Sequence, residues 1–384
     1  MNRRLVIPAL VAGLLLTSAC TDNTAATGDA RTLTVNASDT ECNVSAAEAP
    51  SGTLTFKVTN DGSKINEFYL LADDGLRIVA EIENIGPGLS RDLVLTAPAG
   101  NYFTACKPGM VGDGIRGGFT VTDSGEDVGP KGEDAELVAE ADAQYASYVR
   151  DQVDQLLVKT QTFADLVKAR DDDAARALYA DARVHWERVE TVAESFGDLD
   201  PQMDAREADL EAGDEFTGWH RLEKDLWPAR AEGYTPMTDE ERAAVADRLV
   251  ADTNTLYDRT RDMTFTASDI ANGAKGLLDE VATGKVTGEE EYWSRTDLWD
   301  FQANVDGAKV AWEGLRPLLQ RKDEALDSQI GQAFADLQTL LDKHRSGDGF
   351  VTYDQLSASD VKELADSVNT LSEPLSKMAG VILS

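Results

Sequence analysis

From Arg31 to Thr122 apolar and polar residues alternate in short runs, as in TLTVNAS, GTLTFKVTN, INEFYLL and GGFTVTD, with Gly, Asn, Asp and Pro between them. Leu54, Phe56 and Val58 show the pattern most clearly. A period of two puts alternate side chains on one face, so this segment predicts roughly seven or eight short strands in a small β-sandwich. The stretch DSGEDVGPKGEDAE (123–136) is polar, acidic and glycine-rich, and reads as a linker. Beyond it the period changes. Tyr145, Val149, Val153, Leu156, Thr160, Phe163 and Val167 recur every three or four residues, the spacing of one buried helix face. Similar stripes continue to the C-terminus, broken near DLDPQMD, WPARAEGYTP, ATGKVTGEEE and HRSGDG. They predict a helical bundle or a pair of bundles. ARVHWERVE (182–190) aligns with AKVAWEGLR (308–316) at an offset of 126 residues, as two copies of one bundle would. His185 and Glu190 of the first copy are Ala311 and Arg316 in the second. Functional residues are sought among such differences.

The first twenty residues follow another logic. MNRR is a short basic start, LVIPALVAGLLL an apolar run too short to span a bilayer, and TSAC a small-residue end. The pattern predicts an export signal over residues 1–20, with Cys20 as the lipidated first residue of a mature lipoprotein. Leu16 stands four places before that cysteine, and Thr17 takes the place three before it where such signals usually carry Leu. Removing Cys20 leaves Cys42 and Cys106, an even pair for which an oxidising compartment favours a disulfide. The segment CKPGM, with Met110, has the look of a copper-protein loop. No histidine precedes His185, however, so two imidazoles and a thiolate cannot be assembled there. A metal site in the β-region must draw on Cys42, Cys106, Met110 or an acid such as Glu67.

The chain of 384 residues carries 36 Lys and Arg against 70 Asp and Glu, a formal charge of −34. That balance excludes nucleic acid and anionic lipid surfaces as direct partners and suits attraction of cations. In FTGWHRLEKDLW, His220 and Glu223 form H-x-x-E. At helical spacing, Trp219, Leu222 and Leu226 make the buried stripe and Glu223 lies at its edge, where a carboxylate needs a donor, a cation or a metal. A hydrogen-bonded structural pair is the competing reading. HWERVE supplies His185, Glu187 and Glu190, with the two acids one turn apart; a solvated acidic face paired with Arg183 and Arg188 is the alternative. Asp204 can serve as a ligand or a helix cap, and the Glu289–Glu291 run reads mostly as surface. The H-E-x-x-H of zinc peptidases is absent, as are a phosphate-binding Gly loop and a G-x-S-x-G elbow. HRSGDGFVTYDQ has His344 and Gln355 where a calcium loop needs carboxylates.

Taken together, VHWERVETVAESFGDLDPQMDARE, FTGWHRLEKDLW and TGEEEYWSRTDLWDFQANVDG closely resemble the EfeO family, the extracytoplasmic components of EfeUOB-type iron uptake systems. The resemblance spans essentially the whole mature chain. It implies a cupredoxin-like β-sandwich at 31–122 joined to an imelysin-like, peptidase-named double four-helix bundle at 137–384. It implies an acidic iron site from Glu187, Glu190, Asp204 and Glu290, with His220 and Glu223 as ligands or their supports. Glu67, Cys42 and Cys106 match a second metal site, with copper as an alternative occupant. The implied partners are an EfeU-type iron permease and an EfeB-type haem peroxidase, with the chain lipid-anchored in the periplasm or at the outer face of the cytoplasmic membrane. The segment between Asp204 and His220 is a few residues shorter than the family pattern, which bears on the lip of the cleft. Iron, as Fe(II) or Fe(III), fits carboxylate-rich, histidine-poor ligation. Ferrous oxidation through a metal of the β-domain is the enzymatic alternative; a metallopeptidase and a polysaccharide binder rank below it.

Overall fold

The computed structural model describes residues 30–73, 75, 78–109, 114–125, 130–210 and 213–383. The export signal with Cys20, and Met110, lie outside them. The β-domain contains β1 (Thr32–Ala37), β2 (Cys42–Val44), β3 (Glu48–Pro50), β4 (Gly52–Asn60), β5 (Asn66–Leu71), β6 (Ile78–Ile85), β7 (Ser90–Ala97), β8 (Gly100–Cys106) and β9 (Ile115–Thr122). They form two sheets, in the orders β2-β1-β4-β7 and β3-β9-β8-β5-β6. β1 runs parallel to β4, and β4 antiparallel to β7. The alternation along β4 does what period two requires: Leu54, Phe56 and Val58 are fully buried between the sheets. Phe56 meets Phe68 and Phe119 of the opposite sheet at 5.2 and 5.5 Å between ring centroids.

Cys42 on β2 and Cys106 on β8 are joined in a disulfide that staples one sheet to the other. This corrects the expectation of Cys42 and Cys106 as metal ligands. A sulfur bonded to sulfur offers no thiolate, and thiolate is the form that binds metal.

The first helix, α1 (Glu133–Lys168), starts inside the segment read as linker. Glu133, Asp134 and Glu136 fill its first turn, where the positive end of the helix dipole favours acids. It is followed by α2 (Asp172–Glu187), α3 (Leu199–Asp204), α4 (Gly218–Leu226), α5 (Asp239–Asp262), α6 (Ala267–Thr283), α7 (Asp297–Lys322), α8 (Glu324–Leu341) and α9 (Ala358–Ile382). Capping boxes at Thr238/Glu241, Thr266/Asp269 and Ser357/Asp360 start α5, α6 and α9. Helices α1, α2, α4 and α5 pack as one bundle and α6 to α9 as another, with α7 laid against α1 and α2 at the seam. The stripe from Tyr145 to Val167 is buried in the first bundle. The predicted breaks hold other structure: DLDPQMD contains α3, and HRSGDG forms a small hairpin, β10 (Arg345–Ser346) with β11 (Gly349–Phe350). Among the described residues no helix is long and apolar enough to cross a membrane.

The two domains are in contact. α6 packs on β6 and β7, Asn272 donates to the Val94 carbonyl at 2.7 Å, and Arg91 pairs with Asp279. Between them lies a cleft of about 530 Å³.

Candidate metal centre

Five segments converge at the helical wall of that cleft. α2 presents Arg183 and Glu187 one turn apart, and a 3-10 turn from Glu190 continues it. α3 ends at Asp204. α4 starts at Gly218, whose φ of 76° suits a residue without a side chain, and a Cβ there would collide with the Met203 carbonyl. That close approach sets His220 beside Asp204. The segment between the Lys285–Thr287 turn and α7 brings Glu290 and Glu291, and α7 adds Asp297, Asp300 and Asn304 on one face.

His220 is 1% exposed. Its Nδ1 lies 3.2 Å from Glu223 Oε2. Glu223 Oε1 accepts from the backbone N–H groups of Trp293 and Ser294 at 2.8 and 2.6 Å. With a carboxylate as acceptor, the Nδ1 proton is fixed and Nε2 is turned the other way. Nε2 lies 3.4 Å from Asp204 Oδ1 and 3.5 Å from Glu290 Oε1, and it has no hydrogen-bond partner among the described residues. Burial and the charge of Arg183 pull the His220 pKa down. The carboxylates of Asp204, Glu223 and Glu290 outweigh them and hold it well above the ordinary imidazole value.

Asp204 also accepts from Arg183, and its Oδ2 from Trp186 Nε1 at 2.7 Å. Burial works against its charge, yet Arg183 and His220 hold its carboxyl down at about 2. Arg183, fully buried, reaches Glu187 at 2.5 Å, Glu291 at 2.5 Å, Glu290 at 3.2 Å and Asp300 at 3.5 Å. Lys285 Nζ lies 2.8 Å from Glu187 Oε2 and 2.6 Å from Glu190 Oε2. At some acids burial outweighs these cations and pushes the carboxyl toward the neutral form. Burial and the neighbouring Glu223 raise Glu291 to about 8, and burial raises Asp297 to about 6.

The structure brings together Glu187, Glu190, Asp204, His220, Glu223 and Glu290. Three overlapping groups hold ligand atoms within 4.8 Å of one another: Asp204–His220–Glu290, His220–Glu223–Glu291 and Glu187–Glu190–Asp204. Glu290 and Glu291 are buried at 5% and 0%, which corrects the reading of the GEEE run as mostly surface. His185 stands apart: its Nδ1 meets Gln152 Oε1 at 2.8 Å, on another face of α2. Glu67 lies across the cleft on the β-domain wall, bonded to the Tyr69 hydroxyl, and burial raises its pKa. Arg183, Lys285, Asp300 and Asn304 had no place in the expected site. Arg183 was visible only as a local partner for the acids of HWERVE.

The imelysin family model (peptidase M75) matches residues 141–378, and the model of the cupredoxin-like domain matches residues 8–121. The iron uptake system component EfeO of Yersinia pestis is 38% identical over 357 residues, 92% of each chain. Its counterpart in Escherichia coli K12 is 36% identical over 360 residues, 91% of this chain and 90% of that one. A crystal structure described as an iron-regulated protein A precursor from Parabacteroides distasonis superposes with a TM-score of 0.52. It covers 67% of this chain and 97% of its own at 15% identity, a likeness of fold.

Proposed function

The chain belongs to the EfeO family of iron uptake system components, and from that premise we propose that it captures iron at Asp204, His220 and Glu290 and hands it to a membrane permease. The observation that carries this reading is the buried Nε2 of His220, without a hydrogen-bond partner and flanked by two carboxylate oxygens at 3.4 and 3.5 Å. Donors about 2.0–2.2 Å from a common ion stand roughly 3.0–3.4 Å apart, close to the spacing found here. One imidazole with carboxylates suits a hard or borderline cation such as iron, and soft copper(I) poorly. Glu223 then acts through His220, holding the Nδ1 proton, so that the proton released when an ion binds is the one on Nε2 between Asp204 and Glu290. The backbone N–H groups of Trp293 and Ser294 fix Glu223 in turn.

The excess of carboxylates in and around the cleft draws cations toward it. Export and a lipid anchor at Cys20 would keep the loaded protein beside an EfeU-type permease, with an EfeB-type haem peroxidase as the second partner. Anchoring raises the effective concentration at that handover.

The test is anaerobic Fe(II) titration of the full chain by calorimetry. Wild type is expected to bind one tight equivalent. His220→Ala should remove it, and Glu223→Gln should weaken it by about 10–100-fold. Equal affinity in wild type and His220→Ala would sink the assignment.

A further inference from the structure

Resting on that reading, we propose that the outer side of α4, with the Tyr292–Arg295 segment beside it, is a docking surface for an acidic segment of the protein that takes the iron over. Three arginines meet there without a carboxylate. Arg221 donates to the Tyr234 hydroxyl at 2.9 Å, Arg230 to the carbonyls of Trp293 and Ser294 at 2.8 and 2.9 Å, and Arg295 to the Gly288 carbonyl at 3.4 Å. Among the described residues none of the three forms an ion pair, whereas most other arginines of the chain do. Lys224, which shares this face, is taken by Glu207. The charge of Arg221 reaches Glu241, and those of Arg230 and Arg295 reach Asp354, only through space. Both acids are engaged elsewhere: Glu241 caps α5, and Asp354 accepts from the Thr352 hydroxyl.

Aromatic rings carry these cations. Arg221 stands 5.7 and 5.4 Å from the ring centres of Phe216 and Tyr234, and Arg295 stands 4.7 Å from that of Tyr292. Tyr292 is 52% exposed, and its ring meets the buried Trp293 edge-on at 5.7 Å. Arginine and aromatic side chains together are what protein-binding surfaces are enriched in. The backbone of Arg295 gives a second sign. Its φ of 65° is a left-handed conformation for which glycine is the ordinary choice. Its carbonyl accepts from the Tyr353 N–H at 3.0 Å, so the turn is fixed with the guanidinium over Tyr292. An arginine held where glycine fits better points to use of its side chain. The chemistry of handover identifies the partner. An acceptor that takes iron through oxygen ligands carries carboxylates, and a chain of charge −34 repels it over most of its surface. The three unpaired guanidiniums relieve that repulsion locally. A bilayer of anionic lipid would also press against the surrounding acids, so a narrow peptide segment fits better. The place suits transfer as well: the backbone N–H groups of Trp293 and Ser294 hold Glu223 and, through it, His220.

The test is fluorescence anisotropy of a short labelled peptide of alternating Glu and Tyr, added to the metal-free full chain at low ionic strength. Wild type should bind it, and should bind a Gln–Tyr peptide of equal length about 10-fold less well. Arg221→Gln and Arg230→Gln should each weaken binding of the Glu–Tyr peptide about 2–5-fold. Arg295→Gly relaxes the backbone, so it should lose affinity to a similar extent while keeping the wild-type urea midpoint. The triple variant should lose about 10-fold or more. Arg321→Gln, at an arginine paired with Glu133 and Asp134, should leave binding unchanged. An equal loss in Arg321→Gln would reduce the effect to net charge and overturn the inference. Binding of phosphatidylglycerol vesicles with the same dependence on the three arginines would overturn it in favour of a membrane. Fe(II) calorimetry on the same samples keeps the two readings apart. A normal iron equivalent without peptide binding overturns the docking surface alone, and peptide binding without an iron equivalent overturns the iron site alone.

Discussion

Residues 182–190 and 308–316 occupy corresponding helices of the two bundles, and their tryptophans do the same work. Trp186 Nε1 donates to Asp204, and Trp312 Nε1 donates to Asp327 at 3.1 Å. Around that shared anchor the charges diverge. In the first copy Arg183 and Glu187 are fully buried among other carboxylates. The residues at the same positions of the second copy, Lys309 and Glu313, are about half exposed and 4.0 Å apart. Where Glu190 meets Lys285, Arg316 turns back to Asp327 at 3.2 Å. One copy has become a charged interior open to a cleft, and the other has stayed a packing unit with a solvated face. Burying a charge is costly unless it is paired, and in the first copy Arg183 supplies that pairing to the acids around it.

The largest expected effect follows from breaking that contrast at its centre. Arg183→Met leaves Glu187, Asp204, Glu290, Glu291 and Asp300 without their shared cation, and removing one partner of a buried pair costs about 3–5 kcal/mol. Lys309→Met at the equivalent position should cost less than about 0.5 kcal/mol, as for exposed pairs. Urea midpoints of the metal-free proteins decide the matter; equal losses would show that the two copies are energetically alike.

His185 tests the contrast through pH, because Ala311 at the matching position cannot titrate. Burial, then the charges of Lys159 and Arg188, depress its pKa from 6.5 to about 4. The folded imidazole stays neutral while the unfolded one takes up a proton below about 6.5. Its contribution is therefore complete above pH 6.5 and is lost as pH falls toward 4, about 3 kcal/mol in all. His185→Gln should flatten that part of the stability profile between pH 6.5 and 4, measured by urea unfolding. An unchanged slope would assign the acid sensitivity to other groups.

The sandwich and the helical stripes were legible because period two and period 3.6 are local properties, as β4 and the Tyr145–Val167 face illustrate. The start of α1 was missed because acids that favour a helix N-terminus also look like linker polarity. At the site, Glu187, Glu190, Asp204, His220, Glu223 and Glu290 could be named from their motifs. Arg183 could not be placed, since four residues before Glu187 it looks like half of a surface pair. Its burial depends on Glu290, Glu291 and Asp300, which arrive from more than a hundred residues away. Lys285 is hidden for the same reason, being an unremarkable lysine in a glycine-flanked turn until Glu187 and Glu190 close on it.

The smallest predicted effect sharpens what the two tryptophan anchors share. Asp327 accepts from Trp312, from Arg316 at 3.2 Å and from Gln320 at 2.9 Å, and among the described residues it belongs to none of the acidic groups that can hold a metal. Asp327→Asn preserves shape and one acceptor but loses the charge facing a half-exposed arginine, a change worth about 1–2 kcal/mol. Fe(II) affinity should stay at the wild-type value. Asp204→Asn, the same substitution at the other anchor, should lower stability further and reduce Fe(II) affinity, since Asp204 answers to Arg183 and His220 as well as to Trp186. Unfolding and calorimetry on the two variants separate the roles. If Asp327→Asn also weakened iron binding, the tryptophan anchor of the second bundle would be coupled to the site and not independent of it.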